Sequence, residues 1–178
     1  MRTLTDQLTQ YADYHRDGRN VATHFVGVPM IVVAVAMLLS RPVLGELPGG
    51  IALSPALLAV VATTLYYLRL DLRYGVVMGG LLALALWAGQ WAAAQATAAW
   101  LGWGLGLFVV GWIIQFVGHV FEGRKPAFVD DLVGLIIGPL FVTAEAGFLL
   151  GLRRPLRDDI QSRLGAMPRR APRTPAAA

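Results

Sequence analysis

The chain contains no cysteine, and only 15% of its 178 residues are charged. The lack of cysteine excludes a disulfide framework and a cysteine-ligated zinc or iron–sulfur site. Soluble domains carry about 25% charged residues, whereas this chain is 56% hydrophobic and has a mean hydropathy of +0.59. So much apolar surface excludes a disordered chain. The composition therefore indicates a membrane protein.

The net charge of +4 comes mainly from one end of the chain. Seven of the fifteen basic residues lie within residues 153–178. Because the rest of the chain is nearly balanced, this basic tail is explained by membrane topology, and we expect no nucleic-acid partner. One lysine against fourteen arginines, with much alanine, suggests a GC-rich bacterial genome. We therefore expect an integral protein of the bacterial cytoplasmic (inner) membrane.

Apolar periodicity predicts an all-α fold, a polytopic membrane helical bundle. Leu4, Leu8, Tyr11 and His15 recur at helical spacing, which predicts an N-terminal amphipathic helix at the membrane surface. A spanning helix needs about 20 apolar residues. Four segments approach that length, at about residues 21–40, 51–70, 74–94 and 97–118.

Two pairs of glycines have the four-residue spacing that allows helix backbones to approach closely in lipid. They are Gly75 with Gly79, and Gly102 with Gly106. This spacing predicts tight helix packing at both pairs and no other role for them.

A fifth apolar stretch, residues 132–152, contains Gly138-Pro139 and Glu145. With a cytoplasmic N-terminus, four spans return the chain to the cytoplasm, and a fifth would place the arginine-rich tail outside, against the positive-inside rule. We therefore expect 132–152 to form a re-entrant or surface helical hairpin bent at Pro139. Residues 1–155 are predicted to form a single membrane-embedded domain, and 156–178 a basic, partly disordered cytoplasmic tail.

The chain has three histidines, His15, His24 and His119, and none lies in the middle of an apolar segment. On the inferred topology all three lie at the cytoplasmic face, as a metal site assembled from helix ends requires. Histidine and carboxylate ligands without thiolate suit non-haem iron(II), manganese or zinc. The same histidines could instead satisfy interfacial hydrogen bonds.

Further polar residues share helix faces with these histidines. Tyr11 and Asn20 each precede a histidine by four residues, whereas Gln115 and Glu122 flank His119 at four and three. Gln115 lies in an apolar run, where a polar group needs a partner such as a neighbouring helix. Glu122 could be a metal ligand, an outer partner that fixes the tautomer of a ligand, or a solvated carboxylate.

Two motifs contain these residues. The first runs Tyr11-x3-His15-x4-Asn20-x3-His24-x2-Gly27-Val28-Pro29, and the second Gln115-Phe116-Val117-Gly118-His119-Val120-Phe121-Glu122-Gly123-Arg124-Lys125-Pro126-Ala127. Both resemble the small membrane-embedded 2-hydroxy fatty acid dioxygenase family, formerly a domain of unknown function. The resemblance covers about residues 5–155, and the second motif is the more specific.

The resemblance implies an iron(II)-dependent dioxygenase that performs α-oxidation. A long-chain 2-hydroxy fatty acid would react with O2, lose its carboxyl carbon as CO2, and be converted to a fatty acid one carbon shorter. The implied metal ligands are His15, His24 and His119, with Glu122 as a fourth ligand or an outer base. Arg124, or less favourably Arg16, would pair with the substrate carboxylate, and Asn20, Tyr11 and Gln115 would orient ligands or substrate. The implied cofactor is Fe2+, and membrane lipid surrounds the protein. A homo-oligomer is left open.

Two other classes of protein remain alternatives at this point. A haem-binding or electron-transfer membrane protein would use two of the histidines as axial ligands. A non-enzymatic membrane scaffold would use them only for hydrogen bonds at the interface. A transporter is disfavoured, because Glu145 is the one obvious polar residue away from the histidine-bearing face.

Overall fold

A computed structural model describes residues 2–123 and 133–167, and within these ranges the chain is almost entirely helical. Seven helices are formed there: α1 (Leu4–Asp13), α2 (Gly18–Ser40), α3 (Pro55–Leu70), α4 (Leu72–Ala93), α5 (Thr97–Glu122), α6 (Val133–Leu149) and α7 (Arg154–Ala166). Two short strands, β1 (Gly45–Leu47) and β2 (Ile51–Leu53), lie between α2 and α3. The predicted all-α class is confirmed, with one small β-hairpin in addition.

Three described helices, α2, α4 and α5, are long and apolar enough to cross a membrane, with 23, 22 and 26 residues. The bent pair of α6 and α7 raises the number to as many as four if it counts as one span. These helices are compatible with a membrane protein. Helix α3 is apolar but has only 16 residues. The predicted span at 51–70 is therefore shorter than we expected.

The shortening comes from the β-hairpin, whose second strand uses residues 51–53. β1 pairs antiparallel with β2, and Glu46 lies opposite Ala52. Gly49 and Gly50 form the turn with φ of 90° and 76°, a left-handed conformation that glycine adopts without strain. Helix α3 then begins after Ser54, whose hydroxyl accepts a hydrogen bond from the Leu57 backbone N–H at 3.3 Å.

Helix α6 continues without interruption through Pro139, so the bend that we predicted at this proline is wrong. A proline removes one backbone hydrogen bond and kinks a helix, but it does not force the chain to turn back. The sharp turn comes later, between α6 and α7, which meet at 114°. There Gly151 and Arg153 have φ of 74° and 53°, and the left-handed backbone ends α6.

The chain forms two compact units, Val26–Ile113 and the combination of Met1–Phe25 with Ile114–Ala178. In the first of these, α3 packs on α4: a Cβ at Gly75 would lie 2.6 Å from the Leu68 Cα, and one at Gly79 would lie 3.0 Å from Thr64. The predicted contact at this glycine pair is confirmed. At Gly102 and Gly106 a Cβ would meet no described residue within 4 Å, so the contact predicted there is wrong for the part of the chain that the structure describes. Spacing alone did not reveal which face of α5 is covered.

In the other unit, the apolar face of α1 is buried against α6 and α7. A capping box between Thr3 and Asp6 begins α1. On α7, Ile160 is buried and the Arg163 Nη1 lies 2.9 Å from the Asp6 Oδ1. The amphipathic pattern of α1 therefore reflects burial within the protein. The basic tail begins as helix α7, and its last residues, 168–178, lie outside the described residues.

Candidate metal centre

The three histidines come together in the unit formed by Met1–Phe25 and Ile114–Ala178. His15 lies in the loop after α1, His24 in the second turn of α2, and His119 near the end of α5. One nitrogen of each ring lies within 4.8 Å of the others, and the residues are only 4%, 2% and 7% exposed. The ring centroids are 4.4, 5.1 and 5.4 Å apart. The loop after α1 and the start of α2 thus place His15 and His24 beside His119 of α5.

Main-chain carbonyls orient two of these rings. The His15 Nδ1 lies 2.7 Å from the Tyr11 carbonyl oxygen, and the His24 Nδ1 lies 2.8 Å from the Asn20 carbonyl oxygen. Because a carbonyl only accepts hydrogen bonds, each Nδ1 carries the proton and donates it. The lone pair of each neutral ring is then on Nε2, the tautomer in which a histidine binds metal through Nε2.

The donor set fits a metal ion. Metal–nitrogen bonds of about 2.1 Å require ligand nitrogens about 3.0–3.5 Å apart, so small side-chain movements would close this cluster around an ion. The His119 Nδ1 is buried and has no hydrogen-bond partner among the described residues. A buried nitrogen in this state is costly, and it is satisfied either by binding the metal itself or, when Nε2 binds the metal, by an oxygen that accepts its proton. Three imidazoles without thiolate suit iron(II), manganese or zinc.

Aromatic side chains form one wall of the site. The Tyr11 ring stacks on the His15 ring with centroids 4.2 Å apart and planes 6° from parallel. Phe141 lies 4.9 Å from the first ring and 5.8 Å from the second. Burial raises the pKa of the Tyr11 phenol, so this ring stays neutral. Gly138 leaves space for it, since a Cβ there would lie 2.9 Å from the tyrosine oxygen.

Glu122 contacts the loop between α1 and α2. Its Oε1 accepts a hydrogen bond from the Arg16 backbone N–H at 2.9 Å, and its Oε2 accepts one from the Asp17 backbone N–H at 2.9 Å. A third donor, the Asn20 Nδ2, lies 3.1 Å from Oε2. Glu122 is not part of the group of three possible metal ligands. The arrangement favours an outer partner over a ligand, two of the alternatives that the sequence left open.

The other predicted site residues lie in different surroundings. Asn20 is fully buried, and Gln115 is 4% exposed with no hydrogen-bond partner for its Nε2 among the described residues. The Arg16 guanidinium pairs with Asp13, with its Nη2 2.6 Å from the Asp13 Oδ1. Arg124, predicted to pair with substrate, lies outside the described residues.

Sequence reasoning missed the close contact of α2 with α5 beside the histidines. A Cβ at Gly118 would lie 2.5 Å from the Asn20 Oδ1 and would also overlap the Thr23 Oγ1. A side chain at this point of α5 would therefore force the Asn20 and Thr23 side chains to move. A glycine directly before His119 was the sequence signal for this close contact. The spacing of residues did not indicate that Asn20 and Thr23 face Gly118.

The comparisons with known proteins agree with these motifs. The model of the Mpo1-like family, described as 2-hydroxy-palmitic acid dioxygenase Mpo1-like, matches residues 1–149. The chain is also 36% identical over 160 residues to the 2-hydroxy-palmitic acid dioxygenase MPO1 of Saccharomyces cerevisiae, an alignment that covers 89% of this chain and 87% of the relative. No solved structure matches the chain. The resemblance seen in the sequence is thus confirmed, and the chain belongs to the Mpo1-like family.

Proposed function

We propose that this protein is an iron(II)-dependent dioxygenase that shortens long-chain 2-hydroxy fatty acids by one carbon. The bond between C1 and C2 breaks, C1 leaves as CO2, and C2 is oxidised to a carboxyl group. O2 is the oxidant, and one water forms, so that atoms and electrons balance. The buried group of three histidines is the observation that carries this proposal. The name of the yeast relative supports the substrate class.

His15, His24 and His119 would hold the metal. Zinc has no redox chemistry, whereas bound iron(II) supplies the redox step with O2 that this reaction requires. Tyr11 and Phe141 pack around His15 and exclude water from that side. The rest of the chain orients the ligands. The main-chain carbonyl oxygens of Tyr11 and Asn20 hold the His15 and His24 rings at a fixed angle.

An amphiphilic substrate suits the placement of these residues along the helices. His24 lies near the start of α2 and His119 near the end of α5, so polar ligands lie toward helix ends and apolar surface lies beyond them. A fatty acid places its carboxylate at the interface and its tail in lipid. The buried Gln115 Nε2 lies one helical turn from His119 and has no partner among the described residues, so it could donate to the head group of such a substrate. The arginine-rich tail favours the cytoplasmic face by the positive-inside rule.

The haem alternative loses support from the same geometry. Each histidine ring has both others within 5.4 Å of its centroid. A porphyrin between any two of these rings would need the space that the third one occupies. A Soret absorption band in the purified protein would contradict this argument.

The test is oxygen consumption by the detergent-purified protein with 2-hydroxypalmitate after anaerobic loading with iron(II). We expect one CO2 and one pentadecanoate for each O2 consumed, no reaction with palmitate, and none after loading with zinc. His119→Ala and His24→Ala should each remove both iron binding and oxygen uptake, whereas Glu46→Gln, on the exposed strand β1, should change neither. Substrate turnover that persists without iron, or in the histidine variants, would refute the proposal.

A further inference from the structure

We propose that Asn20 positions two of the three histidines at once, and that its side-chain oxygen accepts a hydrogen bond from the His119 Nδ1–H when metal is bound. This inference rests on the metal site of the proposed function and adds a residue that acts through the ligands. Asn20 is then a positioning residue, connected to His24 through its main chain and to His119 through its side chain.

The orientation of the Asn20 amide follows from its partners. Its Nδ2 lies 3.1 Å from the Glu122 Oε2. A carboxylate oxygen accepts hydrogen bonds, so the amide NH2 must face Glu122 and the Oδ1 must face the other way. There a Cβ at Gly118 would lie 2.5 Å from the Oδ1, which places this oxygen against α5 at the residue that directly precedes His119. The Oδ1 has no hydrogen-bond partner among the residues that the structure describes, although Asn20 is 0% exposed.

His119 also lacks a hydrogen-bond partner for one buried atom. Its Nδ1 is buried and lacks a partner within the described ranges. An imidazole that binds metal through Nε2 carries its proton on Nδ1, and metal-bound histidines almost always donate that proton to an oxygen. A buried donor and a buried acceptor on facing helices, each without a partner among the described residues, would satisfy one another by forming one hydrogen bond. A small rotation of the His119 ring on binding metal would form it.

Asn20 would then connect the whole cluster through three groups. Its carbonyl oxygen accepts from the His24 Nδ1 at 2.8 Å, its Nδ2 donates to Glu122, and its Oδ1 would accept from His119. Glu122 in turn binds the backbone N–H of Arg16, which directly follows His15. One buried amide thereby joins the three ligand-bearing segments.

Cobalt(II) is the probe for the test, because it replaces iron(II) and shifts the proton signals of its ligands. We would measure cobalt affinity and the exchangeable imidazole N–H signals in the proton NMR spectrum of wild type, Asn20→Ala and a control, Gln95→Ala. Gln95 is an amide whose Nε2 donates to the Trp91 carbonyl oxygen, four residues earlier in the chain, at 3.1 Å. Wild type and control should show three shifted N–H signals. Asn20→Ala keeps the main-chain carbonyl and should keep two signals, with cobalt affinity lower by about 10- to 100-fold.

A double variant keeps the proposal testable if Asn20→Ala does not fold. Asn20→Asp with Glu122→Gln retains an acceptor for His119 and a hydrogen bond between positions 20 and 122. It should show three N–H signals, one of them moved because a carboxylate is a stronger acceptor than an amide. Three unmoved signals in this variant, or three signals with wild-type affinity in Asn20→Ala, would overturn the role of Asn20.

Failure of this inference is distinguishable from failure of the proposed function. A wild-type protein that binds no cobalt would refute the metal site and with it both proposals. Normal cobalt binding that Asn20→Ala leaves unchanged would refute the inference alone. Loss of one N–H signal in a protein that consumes no oxygen with 2-hydroxypalmitate would support the inference and refute the dioxygenase reaction.

Discussion

Gly118→Ala tests whether the contact of α2 with α5 sets the histidine geometry. The added Cβ would lie 2.5 Å from the Asn20 Oδ1, whereas real Cβ contacts essentially never fall below 3.0 Å. The two groups must therefore separate by at least 0.5 Å. The Thr23 hydroxyl, which donates to the Asn20 carbonyl at 2.7 Å, would also be displaced. Asn20 cannot move freely, because its Nδ2 donates to Glu122.

The expected cost comes from overpacking, which destabilises by about 1–3 kcal/mol. Replacing glycine by alanine inside a helix also contributes up to about 1 kcal/mol of stability. Gly106→Ala isolates the first effect, because Gly106 lies on the same helix and a Cβ there would meet nothing within 4 Å. The free energy of unfolding should thus be about 1–3 kcal/mol lower for Gly118→Ala than for Gly106→Ala.

The assay is reversible unfolding in detergent followed by circular dichroism, combined with cobalt titration of both variants. Since the displaced Asn20 side chain donates to Glu122 and is proposed to accept from His119, we also expect Gly118→Ala to bind cobalt about 10-fold more weakly, as outer-partner changes do. Equal unfolding free energies and equal cobalt affinities for the two variants would show that the close approach at Gly118 does not govern the site.

Two further predictions concern the carboxylates of the same unit. Glu122→Gln should lower cobalt affinity and destabilise the protein by about 1–3 kcal/mol, because three partly buried donors lose their charged acceptor. Glu46→Gln serves as the control, and equal melting temperatures of the two variants would contradict the prediction. The pKa of the Asp6 carboxyl is lowered from 3.8, first by the Thr3 backbone and hydroxyl and then by Arg163. A lowered pKa stabilises the folded protein above about pH 3.8, and this contribution is lost as the pH falls through the lower folded value. NMR titration should show the Asp6 pKa moving toward 3.8 in Thr3→Ala, although the backbone N–H of residue 3 still donates to this carboxyl, and an unchanged pKa would contradict the part assigned to the hydroxyl.

The sequence predicted the helical class and the convergence of the histidines for a physical reason. In an apolar chain, polar residues are costly to bury unless they have polar partners. The sequence therefore indicated that His15, His24 and His119 share one site. The expected helix ends brought them to one region. The contacts of Glu122 could not be predicted in the same way. Two of its partners are backbone N–H groups, and every residue has one, so no residue type indicates them.

Errors in the predicted elements arose where composition does not determine geometry. Residues 51–53 are apolar enough for a span, yet two glycines before them form a turn and pair them with β1. The sequence predicts a bend at Pro139, whereas α6 continues through this proline and the chain turns at Gly151 and Arg153. In both places the left-handed residues decide where the chain reverses, and the hydrophobic pattern does not.

The main-chain hydrogen bonds at His15 and His24 bear on how this site tolerates mutation. Their acceptors are the carbonyl oxygens of Tyr11 and Asn20, and no side-chain substitution removes a carbonyl. Most substitutions at neighbouring positions should therefore leave the orientations of these two rings unchanged, provided that the local helix is retained. His119 has no such main-chain acceptor among the described residues. Substitutions around the site should consequently change the orientation of His119, the ligand from α5, before they change that of His15 or His24.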